Sequence, residues 1–145
     1  VFKWILALFL FGLLYGLCHA AEVQVGAGTT VLRGPTEVVD VTLTEKAFGP
    51  TYWQQSVDYI GPSKFGVPVS LNYVGRGLLN LKLGLLAIGA GGSVMTNSAP
   101  YNGSRYNFNL QAVLRLSRFS VTYTHFSDAG LTKSNIGRDM VIFAV

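Results

Sequence analysis

Charge is scarce in this chain. Only 12% of its 145 residues are Asp, Glu, Lys or Arg, against about 25% in an average soluble domain. The formal balance is +4, and the basic residues form no block. That excludes the electrostatic footprint of a nucleic-acid binder. Cysteine is almost missing: Cys18 is the sole example. A disulfide framework is therefore excluded, and with Cys18 in a leader segment so is a thiol nucleophile in what remains. Histidine occurs twice, as His19 and His125, which is too few for a histidine-built metal centre. No metal and no cofactor are expected. Helical apolar stripes are also missing beyond the first twenty residues. The Gly89-Ala90-Gly91-Gly92 stretch has no following helix and no Gly-Lys-Ser. It reads as a strand-end turn and not as a phosphate loop.

Hydrophobic residues make up 50% of the chain. The first block of them is a leader. Lys3 supplies a positive start, Trp4 to Leu17 is apolar with small glycines, and Cys18-His19-Ala20 places small residues before Ala21. This pattern predicts a secretory signal peptide over 1–20, cleaved near Ala20. The run is short for a transmembrane helix, which needs roughly 20 residues. Residues 21–145 are then a single domain.

That domain alternates with period two. Val23, Val25 and Ala27 alternate with Gln24, Gly26 and Gly28. Val39, Val41 and Leu43 oppose Asp40, Thr42 and Thr44, while Trp53, Val57 and Tyr59 oppose Gln54, Ser56 and Asp58. Val67, Val69, Leu71 and Tyr73 form a fourth row, and Leu79, Leu81, Leu83 and Leu85 a fifth. Tyr106 to Leu114, Phe119 to Ser127 and Asp139 to Val145 complete eight predicted strands. Gly34-Pro35, Gly49-Pro50, Gly61-Pro62, Gly75-Arg76-Gly77, Gly89 to Gly103 and Leu131 to Gly137 read as the breaks between them. Short links favour an antiparallel meander.

A soluble barrel or sandwich would bury the apolar face. An outer-membrane barrel would turn it towards lipid and keep a polar interior. Strands of about ten residues span a tilted bilayer crossing. The opposite face carries Asp40, Asp58, Lys82 and Arg115, which a narrow barrel interior can pair. Trp53, Tyr59, Tyr73, Tyr106 and Tyr123 suit an interfacial girdle. The expected fold is therefore all-β: an eight-stranded antiparallel outer-membrane β-barrel following a cleaved signal peptide.

His125 and Ser127 share the apolar face of the seventh predicted strand, and Asp139 opens the same face of the eighth. Residues i and i+2 point the same way, and the hairpin can set Asp139 beside His125. A serine, a histidine and a carboxylate are the parts of a nucleophilic hydrolase. Ser127 would attack a carbonyl, His125 would take its proton, and Asp139 would hold the imidazole tautomer. The blander alternative makes His125 an interfacial polar tip and Ser127 the start of a loop. With both termini periplasmic, the site falls at the outer leaflet, where lipopolysaccharide lies.

The segment His125-Phe126-Ser127-Asp128-Ala129-Gly130, followed by Asn135-Ile136-Gly137-Arg138-Asp139, resembles the C-terminal signature of the lipid A 3-O-deacylase family. In that family the pattern is His-x-Ser-Asn-Ala-Gly and then Asn-x-Gly-x-Glu. His125, Ser127, Ala129, Gly130, Asn135 and Gly137 match it. The resemblance implies an eight-stranded outer-membrane barrel with a Ser-His-carboxylate triad on its lipid-facing surface. It implies release of the ester-linked acyl chain at position 3 of lipid A, without a metal. It also links the position of Asp128 to oxyanion stabilisation; independently of the resemblance, backbone N–H groups of Asp128, Ala129 and Gly130 are placed to donate to an oxyanion. Asp139 stands where the family has glutamate, and Asp128 where it has asparagine. Lys133 and Arg138 are placed either to pair with lipid A phosphates or to be solvated loop charges. Two rivals stay open at this level: a non-catalytic outer-membrane barrel with a structural, adhesive or binding role, and a soluble β-barrel for an apolar ligand.

Overall fold

The structure, a computed structural model, describes residues 3, 7, 8, 11, 22–31, 35–61, 72–96, 105–127 and 138–145, with backbone alone for 72 and 138. Most of the expected signal peptide therefore lies outside the described residues. The strands are β1 (Glu22–Val31), β2 (Glu37–Lys46), β3 (Thr51–Ile60), β4 (Asn72–Leu83), β5 (Leu86–Met95), β6 (Tyr106–Leu116), β7 (Phe119–Ser127) and β8 (Arg138–Ala144). Each pairs antiparallel with its sequence neighbour, and β8 returns to β1 from Gly26↔Ala144 to Val31↔Asp139. The sheet is thus a closed barrel in simple meander order. Closure removes the free edges that an open sheet would expose.

The barrel has two unlike ends. At one, tight turns join β2 to β3, β4 to β5 and β6 to β7. Gly84 sits in the second at φ 72, a left-handed conformation that a Cβ would oppose. Ser117 occupies the same region in the third at φ 61, at a cost of roughly 1–2 kcal/mol. At the other end the longer connections 32–36, 61–71, 96–105 and 128–137 leave the strands.

The outer face is apolar. Val23, Val25, Val39, Val41, Leu79, Leu81, Leu83, Phe108, Leu110, Phe119 and Phe143 are all exposed. Soluble monomers rarely show contiguous apolar patches beyond a few hundred Å², so this surface requires a lipid solvent. A soluble core behind the leucine row is ruled out, because that row points outward.

The interior is layered. Near the long-loop end, Val38, Ile60, Val74, Met95, Phe126, Met140 and Ile142 form a buried apolar cluster. Below it lies Arg76, 1% exposed. Its Nε is 2.5 Å from Asp58 Oδ2, and its Nη2 is 3.0 Å from Asp40 Oδ1. Its Nη1 donates to Thr124 and Gln111. Gln54, Asn80 and Gln111 then hydrogen-bond one another. Arg115 and Glu22 close the short-turn end at 2.5 Å.

Three expectations are corrected. Gly75-Arg76-Gly77 is no turn: β4 runs through it, and Arg76 is the interior's central cation. The Gly89 to Gly92 stretch is also strand, in β5, while Leu85 lies in the turn. The row 67–71 is outside the described residues, so the count of eight survives with the fourth and fifth strands moved. Glycine usually weakens strands, whereas here it permits close packing. A Cβ on Gly91 would fall 1.9 Å from the Gly77 carbonyl oxygen. Second, the interior is not polar throughout, since its loop end is the apolar cluster. Third, Tyr123 is not a girdle residue. Tyr59 and Tyr73 pair at the loop end, with ring centroids 5.6 Å apart, whereas Tyr123 lies mid-strand.

Candidate active site

β7 alternates Phe119, Val121, Tyr123, His125 and Ser127 outward with Ser120, Thr122, Thr124 and Phe126 inward. The inward side chains anchor the strand: Thr124 accepts from Arg76, and Phe126 is fully buried in the apolar cluster. Anchoring on one face fixes the direction of the other. His125 and Ser127 therefore point together towards the lipid side, at the loop end of the barrel.

The register sets Asp139 of β8 directly opposite His125. His125 Nδ1 lies 2.6 Å from Asp139 Oδ1. Such a contact between a ring nitrogen and a carboxylate is a short, charge-assisted hydrogen bond. The carboxylate can only accept, so Nδ1 carries the proton and Nε2 is left as the basic nitrogen. The two side chains are 41% and 14% exposed. The imidazole is thus accessible while its carboxylate partner is sheltered. Asp139 also faces Val31 of β1, which places the pair beside the seam that closes the barrel.

A further residue joins this pair. The Tyr123 phenol lies close enough to Asp139 to interact with its carboxylate. Tyr123 precedes His125 by two and shares its face, so parity alone could have shown it. Aromatic residues in outer-membrane strands usually serve in the interfacial girdle, which hides this placement in the sequence.

Ser127 is the last residue of β7, opposite Phe108 of β6. Leu110 stands opposite His125, and both hydrophobes are exposed. The polar cluster is therefore an island in an apolar surface. Asp128, Ala129, Gly130, Lys133, Asn135 and Gly137 lie outside the described residues. Of Arg138 only the backbone is described; it pairs with Phe126 at the head of β8.

The profile of the family described as "Lipid A 3-O-deacylase (PagL)" matches residues 41–145. The chain belongs to that family. A solved structure titled "Crystal structure of the outer membrane enzyme PagL" superposes with a TM-score of 0.56 at 16% sequence identity, over 86% of this chain and 99% of that one. At that identity the likeness speaks for the barrel fold. No curated protein sequence matches the chain. The deacylase is thus an ester hydrolase of the bacterial outer membrane acting on lipid A. A non-catalytic barrel and a soluble apolar-ligand carrier both fall away.

Proposed function

We propose that this protein cleaves the ester-linked acyl chain at position 3 of lipid A with Ser127 as nucleophile, His125 as general base and Asp139 as the residue that orients the imidazole. The observation that carries this reading is the 2.6 Å contact between His125 and Asp139 on the lipid-facing surface, with Ser127 at i+2 on the same face. A histidine held in one tautomer beside a serine is of little use to a structural barrel. It is what acyl transfer requires.

The steps balance as follows. Ser127 Oγ attacks the ester carbonyl carbon while His125 Nε2 takes its proton. The tetrahedral oxyanion collapses, and the sugar hydroxyl leaves with that proton. A water, deprotonated by His125, then attacks the acyl-serine. The fatty acid departs and Ser127 recovers its proton. Asp139 stabilises the imidazolium in both halves. Backbone N–H groups of Asp128, Ala129 and Gly130 are assigned to the oxyanion, and Lys133 and Arg138 to lipid A phosphates. No step calls on a metal or cofactor.

The orientation follows from the unlike ends. Outer-membrane barrels keep short turns on the periplasmic side and longer loops outside. Ser127 and Asp139 are at the long-loop end, so the site faces the outer leaflet, where lipopolysaccharide resides. Residues 1–20 act as the signal peptide that delivers the chain across the inner membrane.

Mass spectrometry of lipid A from cells expressing the protein tests this. Wild type should yield species lacking one ester-linked chain. Ser127→Ala should yield none, while its unboiled gel mobility stays that of a folded barrel. Continued deacylation by Ser127→Ala overturns the assignment.

A further inference from the structure

The Arg115–Glu22 pair spans only part of the short-turn end of the barrel. Beside it the interior opens as a cup of about 190 Å³. Gln24, Thr44, Tyr52, Asn80 and Val113 are buried and point inward. Glu22, Lys46, Lys82 and Arg115 each lie two residues from one of these on its strand, so they face the same way. All four line the cup, together with Tyr52.

The floor is closed. Tyr52, Ala87 and Val113 form a buried apolar cluster. Behind it Gln54, Asn80 and Gln111 hydrogen-bond one another. The cup is therefore a blind site and not the entrance of a channel.

Its charges do not balance. Arg115 and Glu22 neutralise each other at 2.5 Å. Lys46 and Lys82 have no carboxylate partner among the described residues. Two positive charges thus share one small mouth, a repulsion that no described carboxylate offsets. Lys82 is also drawn over the floor: its Nζ stands 5.5 Å from the centroid of the Tyr52 ring, a cation–π arrangement. Lys46 is the cross-strand neighbour of the same tyrosine.

Tyr52 supplies a second and independent observation. It is 4% exposed, yet among the described residues its hydroxyl has no hydrogen-bond partner. Buried tyrosine hydroxyls usually find one. The acceptor that this phenol lacks belongs in the cup that it lines.

We propose that the cup binds the dianion of a phosphate monoester. That group carries about −1.5 to −2 charge at neutral pH and three strong acceptor oxygens. Its charge matches the two unpartnered lysines. Its oxygens match donors converging from three strands: Lys46 on β2, Tyr52 on β3 and Lys82 on β4. A carboxylate has one charge and two oxygens, and would leave one donor without an acceptor. Sites for drug-sized ligands are about 300–1,000 Å³. This smaller cup takes the phosphate and a few attached atoms, while the rest of the ligand stays outside. The site shares no residue with deacylation and lies at the opposite end from Ser127. With the orientation given above, it opens to the periplasm. The phosphate then arrives either on a soluble ester or on a monoester lipid headgroup of the periplasmic leaflet.

The test titrates the purified protein in non-ionic detergent micelles with glycerol 3-phosphate, followed by calorimetry. Saturable binding is expected. The double variant Lys46→Gln, Lys82→Gln should weaken it at least about a hundredfold and Tyr52→Phe at least about tenfold, since a hydrogen bond to a charged group is worth roughly a decade or more. Arg118→Gln removes a charge at the same end but outside the cup, and should change affinity by less than about twofold because salt screens it. Unboiled gel mobility and deacylation rate should stay those of wild type in every variant. Absence of saturable binding overturns the proposal. So does equal affinity in the double lysine variant, or a loss in Arg118→Gln as large as in that variant. Displacement of glycerol 3-phosphate by an equal concentration of acetate overturns it as well. Phosphatidylcholine nanodiscs with and without phosphatidic acid separate the two sources: competition by the lipid assigns the cup to a headgroup, and its absence assigns the cup to a soluble ester.

Discussion

Replacing Asp139 with asparagine keeps the side chain's size and removes its charge. In the native site Asp139 Oδ1 lies 2.6 Å from His125 Nδ1. A hydrogen bond to a charged group contributes about 1.5–3 kcal/mol. At 1.36 kcal/mol per decade, its loss from the transition state alone costs about 10–150-fold in rate. A tautomer effect adds to this. Asparagine can turn its N–H₂ towards Nδ1, which moves the imidazole proton to Nε2 and leaves nothing to deprotonate Ser127. In fully buried triads that substitution costs about 10⁴-fold. Here the imidazole is 41% exposed at the loop-end rim, where water at headgroup level screens part of the interaction. The expected loss for Asp139→Asn is therefore about 10²–10³ in kcat, with KM little changed. Asp139→Glu restores the charge with the residue that the family pattern has at this position. It should exceed Asp139→Asn by at least about tenfold. The assay is the initial rate of fatty-acid release from lipid A in detergent micelles at neutral pH, with barrel folding checked on unboiled gels. An Asp139→Asn enzyme within roughly twofold of wild type would refute the role given to Asp139.

Three other outcomes follow from the same geometry. Arg76→Leu leaves the buried Asp40 and Asp58 carboxylates without their cation, so it should destabilise the barrel by about 3–5 kcal/mol; an unchanged urea midpoint in detergent would contradict this. Gly28→Ala drives a Cβ to 1.9 Å from the Val141 carbonyl oxygen at the β1–β8 seam, and overpacking of that kind costs about 1–3 kcal/mol; the thermal transition of the folded gel band should drop. Asp128→Asn removes a negative charge adjacent to the nucleophile and should raise the deacylation rate. The gain is up to about 2.7–4 kcal/mol in barrier if the new amide donates to the oxyanion, and an inactive variant would show that Asp128 has a different role.

The site was legible because a strand is a period-two object. Once Phe119 to Ser127 reads as a strand, His125 and Ser127 must share a face, and the antiparallel return can bring Asp139 to the same face. The family signature at 125–139 added the reaction that parity could not name. The same rule failed at β4 and β5, because glycine in a sequence does not say whether the chain turns or packs closely. Arg76 between two glycines looked like a turn tip. It is instead the partner that lets Asp40 and Asp58 be buried at all.

By itself the sequence determined the all-β class, the count of eight strands, the lipid-facing parity of most of them, and the identities of the histidine, serine and carboxylate. These depend on local alternation, which pleating imposes wherever a strand forms. Only the tertiary structure decided the register between neighbouring strands, that Nδ1 of His125 is the nitrogen bonded to Asp139, and that Tyr123 lies near that carboxylate. It alone gathered Lys46, Tyr52 and Lys82 at one mouth of the barrel. Register couples residues that are far apart in the chain, and it is set by closure of the whole barrel and by the packing of its interior, which no local window contains.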